Sequence, residues 1–159
     1  MSRRSPQPLT VWITGYSGSG KTTLIEQLIP HLHPLRVGTA KHHHRMRALD
    51  RPGTDTARHQ AAGAAATLLA GPAGAALFLP GPRPALRALL AHLAHVDVIL
   101  IEGFTRQARL AVRLRDADGR LRPLPKACAV AAELQLSPRR RFPVAQVRAL
   151  AAHLRNMRE

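Results

Sequence analysis

Residues 15–22 read Gly-Tyr-Ser-Gly-Ser-Gly-Lys-Thr, a full match to the pattern G-x-x-x-x-G-K-[ST], whose backbone N–H groups wrap phosphate oxygens at the start of a helix. Glycine permits positive φ and removes side chains from the path of the ligand, so the chain can curl tightly. The candidate phosphate cradle is therefore Gly15, Ser17, Gly18, Ser19, Gly20, Lys21, Thr22 and Thr23. Lys21 would act as a mobile cation for the β and γ phosphates, and the Thr22 hydroxyl is placed to ligate Mg²⁺.

A second centre of chemistry is Asp97-Val98-Ile99-Leu100-Ile101-Glu102-Gly103-Phe104. A strongly apolar strand that ends in a carboxylate beside a phosphate loop is the arrangement that supports a metal ion or orients an attacking water. Glu102 takes that role, as a catalytic group with Lys21 and as a metal group with Thr22. The third cluster is Lys41-His42-His43-His44-Arg45, in the place where phosphate-loop proteins put a mobile loop near the terminal phosphate. Ligands on consecutive residues cannot all face one ion, so anion contact by Lys41 and His42 is favoured over a transition-metal site.

These groups need a scaffold, and the hydropathy pattern supplies an α/β one. Leu9-Thr10-Val11-Trp12-Ile13-Thr14 is strand-like, residues 23–29 have helical spacing, and Pro30 should kink or end that helix. Residues 35–40 read as a second strand. Thr54 or Asp55 can cap a helix over 56–64, with short strands at 65–69 and 75–79. A helix over 84–95, a strand over 96–101, a final strand over 127–131 and an amphipathic helix over 144–158 complete the alternation. Asp116-Ala117-Asp118-Gly119 carries a turn signal and predicts a hairpin between 110–115 and 121–122. The expected fold is α/β and P-loop NTPase-like, a largely parallel sheet flanked by helices with a β-hairpin extension.

The chain has 159 residues, a length that suits a single nucleotide-binding domain, with residues 1–8 expected to form a flexible basic extension. The single Cys128 has no disulfide partner within the chain, which fits a reducing cytoplasm. No signal peptide or membrane span is expected, since the uncharged stretch 60–82 is broken at Gly71-Pro72-Ala73-Gly74. The formal net charge is +15, and 21 of the 24 basic residues are arginine. The arginines are spread along the chain and there are only one Trp, one Tyr and three Phe, which is poor material for a nucleic-acid surface.

The segments GYSGSGKTT, RVGTAKHHH, DRPGTDTARHQAAGA and DVILIEGF, in this order and spacing, resemble the molybdopterin-guanine dinucleotide biosynthesis protein B family. The resemblance spans residues 9 to about 133. It implies a GTP- and Mg²⁺-binding homodimer with weak intrinsic GTPase activity, an adapter in molybdenum-cofactor assembly. Such an adapter works beside the guanylyltransferase that attaches GMP to molybdopterin, with molybdopterin itself a possible ligand. It also makes the loop 41–55 a ligand or partner surface. The guanine-reading Asn-Lys-x-Asp pattern is absent, as the only Asn is Asn156. Glu133, expected to end a late strand, is the candidate base reader, because a carboxylate accepts from guanine N1–H and N2–H₂. Two other classes share these motifs. A P-loop kinase of a small metabolite could use Arg109, Arg113, Arg115, Arg120 and Arg122 as a lid, and a metal-insertion GTPase would need a Cys/His motif.

Overall fold

Val11, Trp12, Ile13 and Thr14 are all buried, which places their strand in the interior of a parallel sheet covered on both faces. The computed structural model describes residues 7–43, 49–82 and 84–158; His44 and residues 1–6 lie outside them. In chain order the elements are β1 (Leu9–Thr14), α1 (Lys21–His31), β2 (Val37–Lys41), α2 (Asp55–Ala61), β3 (Thr67–Gly71), β4 (Gly74–Phe78), α3 (Leu86–Ala91), β5 (Val98–Glu102), β6 (Leu110–Arg115), β7 (Ala129–Gln135) and α4 (Val144–Asn156). They form two compact units, one of Met1–His42 with Leu86–Glu159 and one of His43–Ala85.

The first unit is a five-stranded sheet in the order β2-β5-β1-β6-β7, parallel at every pairing. Strand alternation divides its core in two. Val11, Ile13, Val98, Leu100, Val112 and Leu114 meet Leu24 and Leu28 of α1 and Val147, Leu150, Ala151 and Leu154 of α4. On the other face Trp12, Ile99, Ile101 and Ala111 meet Val96 and Ala108, with Leu86 and Leu90 of α3 against them. That face is thinly covered, because β5 returns to β6 through residues 103–109, which hold only a 3₁₀ turn at Thr105–Gln107. Pro30 lies inside the last turn of α1, which ends one residue later at His31; with no N–H it donates no hydrogen bond to the preceding turn.

The second unit holds α2 and the antiparallel pair β3–β4, in register from Thr67↔Phe78 to Gly71↔Gly74. Thr54 caps α2, its hydroxyl accepting from Ala57 N at 3.2 Å. Asp50 accepts from the Thr54 hydroxyl and from the Gln60 amide, both at 3.1 Å. These contacts hold the Pro52-Gly53-Thr54-Asp55 turn against the helix it opens.

The parallel sheet, its flanking helices and a hairpin follow the expected fold class, but the hairpin is β3–β4. Residues 121–122 form no strand. The Asp116–Gly119 turn is present, with Gly119 N donating to Asp116 O at 3.0 Å and Asp116 N to Arg120 O at 3.0 Å. Beyond Arg120 the chain leaves the sheet, and the neighbour taken by β6 is the parallel β7. An Asp-Gly turn scores local geometry only, whereas Ala129–Gln135 extends the sheet without burying a charged ribbon. Helix α3 is also much shorter than 84–95, since residues 92–95 form turns.

Candidate functional site

The carboxyl ends of β1, β2 and β5 converge on one point. In the register Lys41 stands opposite Glu102, and Ile13 flanks Glu102 on the other side. The phosphate loop leaves β1 there and enters α1 at Lys21, with Gly20 in the left-handed region at φ 90°. A Cβ on Gly20 would stand 3.0 Å from Leu136 Cδ1 and 3.2 Å from Phe142 Cε2, so this glycine is required by both conformation and close approach.

A small polar cavity of about 250 Å³ sits over the loop. Ser17, Gly18, Gly20, Lys21, Thr22 and Thr23 line it together with Glu102, Leu136 and Arg140. Thr22 Oγ1 donates to Glu102 Oε2 at 3.1 Å, and the Lys41 ammonium is 3.4 Å from the same oxygen. Lys21 folds back, Nζ donating to Tyr16 O at 2.8 Å, rather than standing out in solvent. Burial pushes its pKa down; Glu102 opposes this, while Arg122 and Lys41 add to it. A phosphate arriving over Gly18 would offer the ammonium a stronger partner than a neutral carbonyl. The hydroxyl and carboxylate pair is a hard-oxygen donor set of the kind Mg²⁺ takes, so Thr22 and Glu102 fit such an ion.

Two sequence segments meet behind Glu102. His42 N donates to Glu102 O at 2.9 Å, and the His42 ring lies 4.7 Å from that of Phe104. Gly103 has φ 93°, and a Cβ there would come within 2.7 Å of His42 Cβ. The Lys-His and Glu-Gly-Phe segments are thus two halves of one joint, which only glycine lets close. Gly15 and Ser19 lie deeper in the loop: Ser19 is 2% exposed and its hydroxyl has no partner.

Glu133 is placed elsewhere. It lies inside β7 rather than at its end, and its oxygens are taken by Arg113 Nη1 at 2.8 Å and Arg115 Nη2 at 2.7 Å. Arg120 is likewise held by Asp116 at 3.0 Å and Asp118 at 2.7 Å. Three of the arginines expected as a kinase lid are therefore engaged by carboxylates.

Arg140 is the site residue that motif reading passed over. It belongs to the connection from β7 to α4, where Arg140 itself has φ 57°. The segment is anchored to α1 by Gln27, whose amide donates to Phe142 O at 3.1 Å and accepts from Phe142 N at 2.9 Å. The run Arg139-Arg140-Arg141 was the available signal, lost among evenly spread arginines. A larger cavity, about 860 Å³, lies beside Trp12 on the thinly covered face and includes no phosphate-loop residue.

A phosphate loop on a parallel sheet, with an acidic strand end beside it, defines a P-loop-like α/β fold. The family model of molybdopterin guanine dinucleotide synthesis protein B (MobB) matches residues 10–132. The chain belongs to this family. It is 37% identical over 119 residues to a molybdopterin-guanine dinucleotide biosynthesis adapter protein of Haemophilus influenzae, covering 72% of this chain and 66% of that one. Against the Escherichia coli protein of the same description the figures are 35% over 127 residues, 75% and 72%. The chain thus spans about two thirds of the length of the first relative. Among solved structures, a MobB homologue from Bacillus stearothermophilus superposes with a TM-score of 0.55 at 27% identity, covering 94% of this chain and 97% of that one. Bacillus subtilis MobB gives 0.58 at 21%, covering 91% and 97%, a likeness of fold.

Proposed function

We propose that this protein is a GTP-binding adapter in molybdopterin guanine dinucleotide synthesis, working beside the guanylyltransferase in the cytoplasm. The observation that carries the reading is the meeting of Lys21, Thr22 and Glu102 at one cavity, with Lys41 paired to Glu102, in a chain of this family. The loop amides, Lys21 and Arg140 bind the phosphates, and Thr22 and Glu102 would hold Mg²⁺, which would supply positive charge to neutralise the phosphates. Lys41 sets the carboxylate of Glu102 and adds positive charge at the terminal phosphate. Among the described residues Glu102 is the only carboxylate lining the cavity, and with it committed to the metal no second base is left for water activation, so turnover is slow, about 10⁻⁴ to 10⁻² s⁻¹ as in phosphate-loop proteins lacking a complete catalytic set.

The reading includes a homodimer. Leu68, Leu69 and Leu77 on the β3–β4 pair are 70%, 51% and 45% exposed, and an isolated two-stranded sheet with apolar side chains in water is marginal. Calorimetry with GTP, Mg²⁺, molybdopterin and the transferase tests the adapter role. GTP binding that strengthens or turns over faster only with transferase and pterin present is expected. Rapid, partner-independent transfer of phosphate to a metabolite would make the protein a kinase instead.

A further inference from the structure

A parallel sheet needs cover on both faces, and on the face that carries Trp12 the cover runs short. Helix α3 has only six residues and the 3₁₀ turn before β6 only three. Both line the cavity of about 860 Å³, together with Trp12 of β1 and Ile99 of β5. Every residue around it belongs to the sheet unit, and none of them lines the phosphate cradle.

The lining combines apolar surface with unpaired positive charge. Trp12, Leu86 and Leu90 pack in one apolar cluster, and the buried indole N–H of Trp12 has no partner among the described residues, where a buried donor is normally satisfied. Arg87 of α3, Arg106 of the turn and Arg109 ahead of β6 come to the same cavity from three segments. All three are exposed, and among the described residues their side chains make no hydrogen bond or ion pair. Elsewhere in this unit Arg36, Arg113, Arg115 and Arg120 each hold a carboxylate. No Asp or Glu lines this cavity or the adjoining one of about 680 Å³, which shares Trp12, Arg87 and Arg109 with it. A cleft lined by one sign of charge concentrates the opposite ion.

We propose that this cavity is a second ligand site, for a small organic phosphate with a flat ring. The ring packs against Trp12 and the leucines, and the phosphate is held by the guanidiniums, whose planar forks match its oxygens. A bare anion would leave the apolar lining unused, and a neutral ring would leave the arginines unpaired. The volume is within the roughly 300–1,000 Å³ of small-molecule sites. Because the site shares no residue with the phosphate cradle, it stands or falls apart from the GTP reading.

Trp12 is the only tryptophan and lines the cavity, so quenching of its emission reports occupancy. The probe is riboflavin 5′-phosphate, a flat ring with one phosphate that absorbs where tryptophan emits, titrated in Mg²⁺ and saturating inorganic tripolyphosphate. It should quench Trp12 as well as it does without tripolyphosphate. Riboflavin and inorganic phosphate should each bind about tenfold more weakly or worse, and Arg106→Gln with Arg109→Gln should weaken the probe by a similar factor. Arg139→Gln with Arg148→Gln removes the same charge from exposed residues outside the cavity and should leave the probe unaffected. No quenching, or quenching abolished by tripolyphosphate, overturns the proposal, the latter by placing the probe in the cradle. So does riboflavin or inorganic phosphate binding as tightly as the probe. Equal affinity in the Arg106, Arg109 variant and the parent, or equal loss in the two double variants, overturns it as well.

Discussion

In the sheet unit Leu24, Leu28, Val98, Leu100 and Val112 are wholly buried, whereas in residues 43–85 the three leucines of the β3–β4 pair face solvent. The sheet unit buries most of its large apolar side chains within itself, and the hairpin leaves its leucines open. A phosphate cradle needs the first condition, because backbone N–H groups must stay aimed when no ligand is there to aim them. A surface meant to be covered by another molecule needs the second. The division suggests that nucleotide chemistry belongs to the sheet unit and assembly to the hairpin.

The sharpest way to break that contrast is to cut one leucine from each unit. Trp12 is the only tryptophan and is buried in the sheet unit, so its fluorescence reports the unfolding of that unit. Leu28→Ala should lower its stability by about 2–5 kcal/mol in urea, the range for a buried leucine lost without collapse. Leu68→Ser should move the same transition by less than about 0.5 kcal/mol in dilute protein and shift sedimentation toward a monomer at higher concentration. Equal losses in both variants would show the hairpin to be part of the same folding unit. A self-association unaffected by Leu68→Ser would remove the hairpin from the dimer contact.

Within the sheet unit, Lys21→Ala removes the one ammonium aimed along the loop and should weaken GTP about ten- to a hundredfold, the equivalent of roughly 1.5–3 kcal/mol for a hydrogen bond to a charged group. The Trp12 transition should stay in place, because Lys21 contacts a neutral carbonyl rather than the core. Unchanged affinity in the folded variant would sink the cradle assignment. Glu102→Gln should have a smaller and more selective effect: GTP binding without metal stays, and its dependence on Mg²⁺ weakens by several-fold, since shape is kept and charge removed. Superimposable Mg²⁺ titrations would take Glu102 out of the metal site.

The sheet unit was also the legible part of the sequence. Its strands are apolar runs in a fixed alternation with helices, and its phosphate loop is a local pattern in which every glycine has a job, so β1, α1 and Glu102 could be read directly. That Lys41 stands against Glu102 and His42 against Phe104 depends on β2 and β5 being neighbours, which no single segment encodes. Glu133 shows where local reading fails. A carboxylate near a strand end is open to a ligand only if nothing across the sheet claims it, and Arg113 and Arg115 sit on the adjoining strand in register to do so. The hairpin read at 116–119 failed for a related reason: the turn chemistry was right, and the competition for the edge of β6 was won by a strand ten residues further on.

The smallest effect concerns the end of the sheet unit away from the cradle, where Asp97 joins the starts of β2 and β5 to the end of α4. Its carboxylate accepts from Arg36 Nε at 3.1 Å and Arg36 N at 2.8 Å, and Arg158 donates to its carbonyl at 3.0 Å. The Arg36 side chain, then the Arg36 backbone N–H, hold the carboxyl down to about 2; partial burial opposes them and the charges of Arg36 and Arg158 assist. An unfolded aspartate titrates near 3.9, so the stabilisation is complete above about pH 4 and is lost as the pH falls from there toward 2. Arg36 is largely exposed, which keeps the contribution within the roughly 0–1 kcal/mol of solvent-screened pairs. Asp97→Asn should therefore be slightly less stable than the parent at pH 6, and the gap should close as both are taken to pH 2. Added salt should narrow it at pH 6. Other carboxylates titrate in both proteins and cancel in the difference. A gap that stays constant from pH 6 to pH 2 would assign the loss to packing or hydrogen-bond geometry and not to the charge of Asp97.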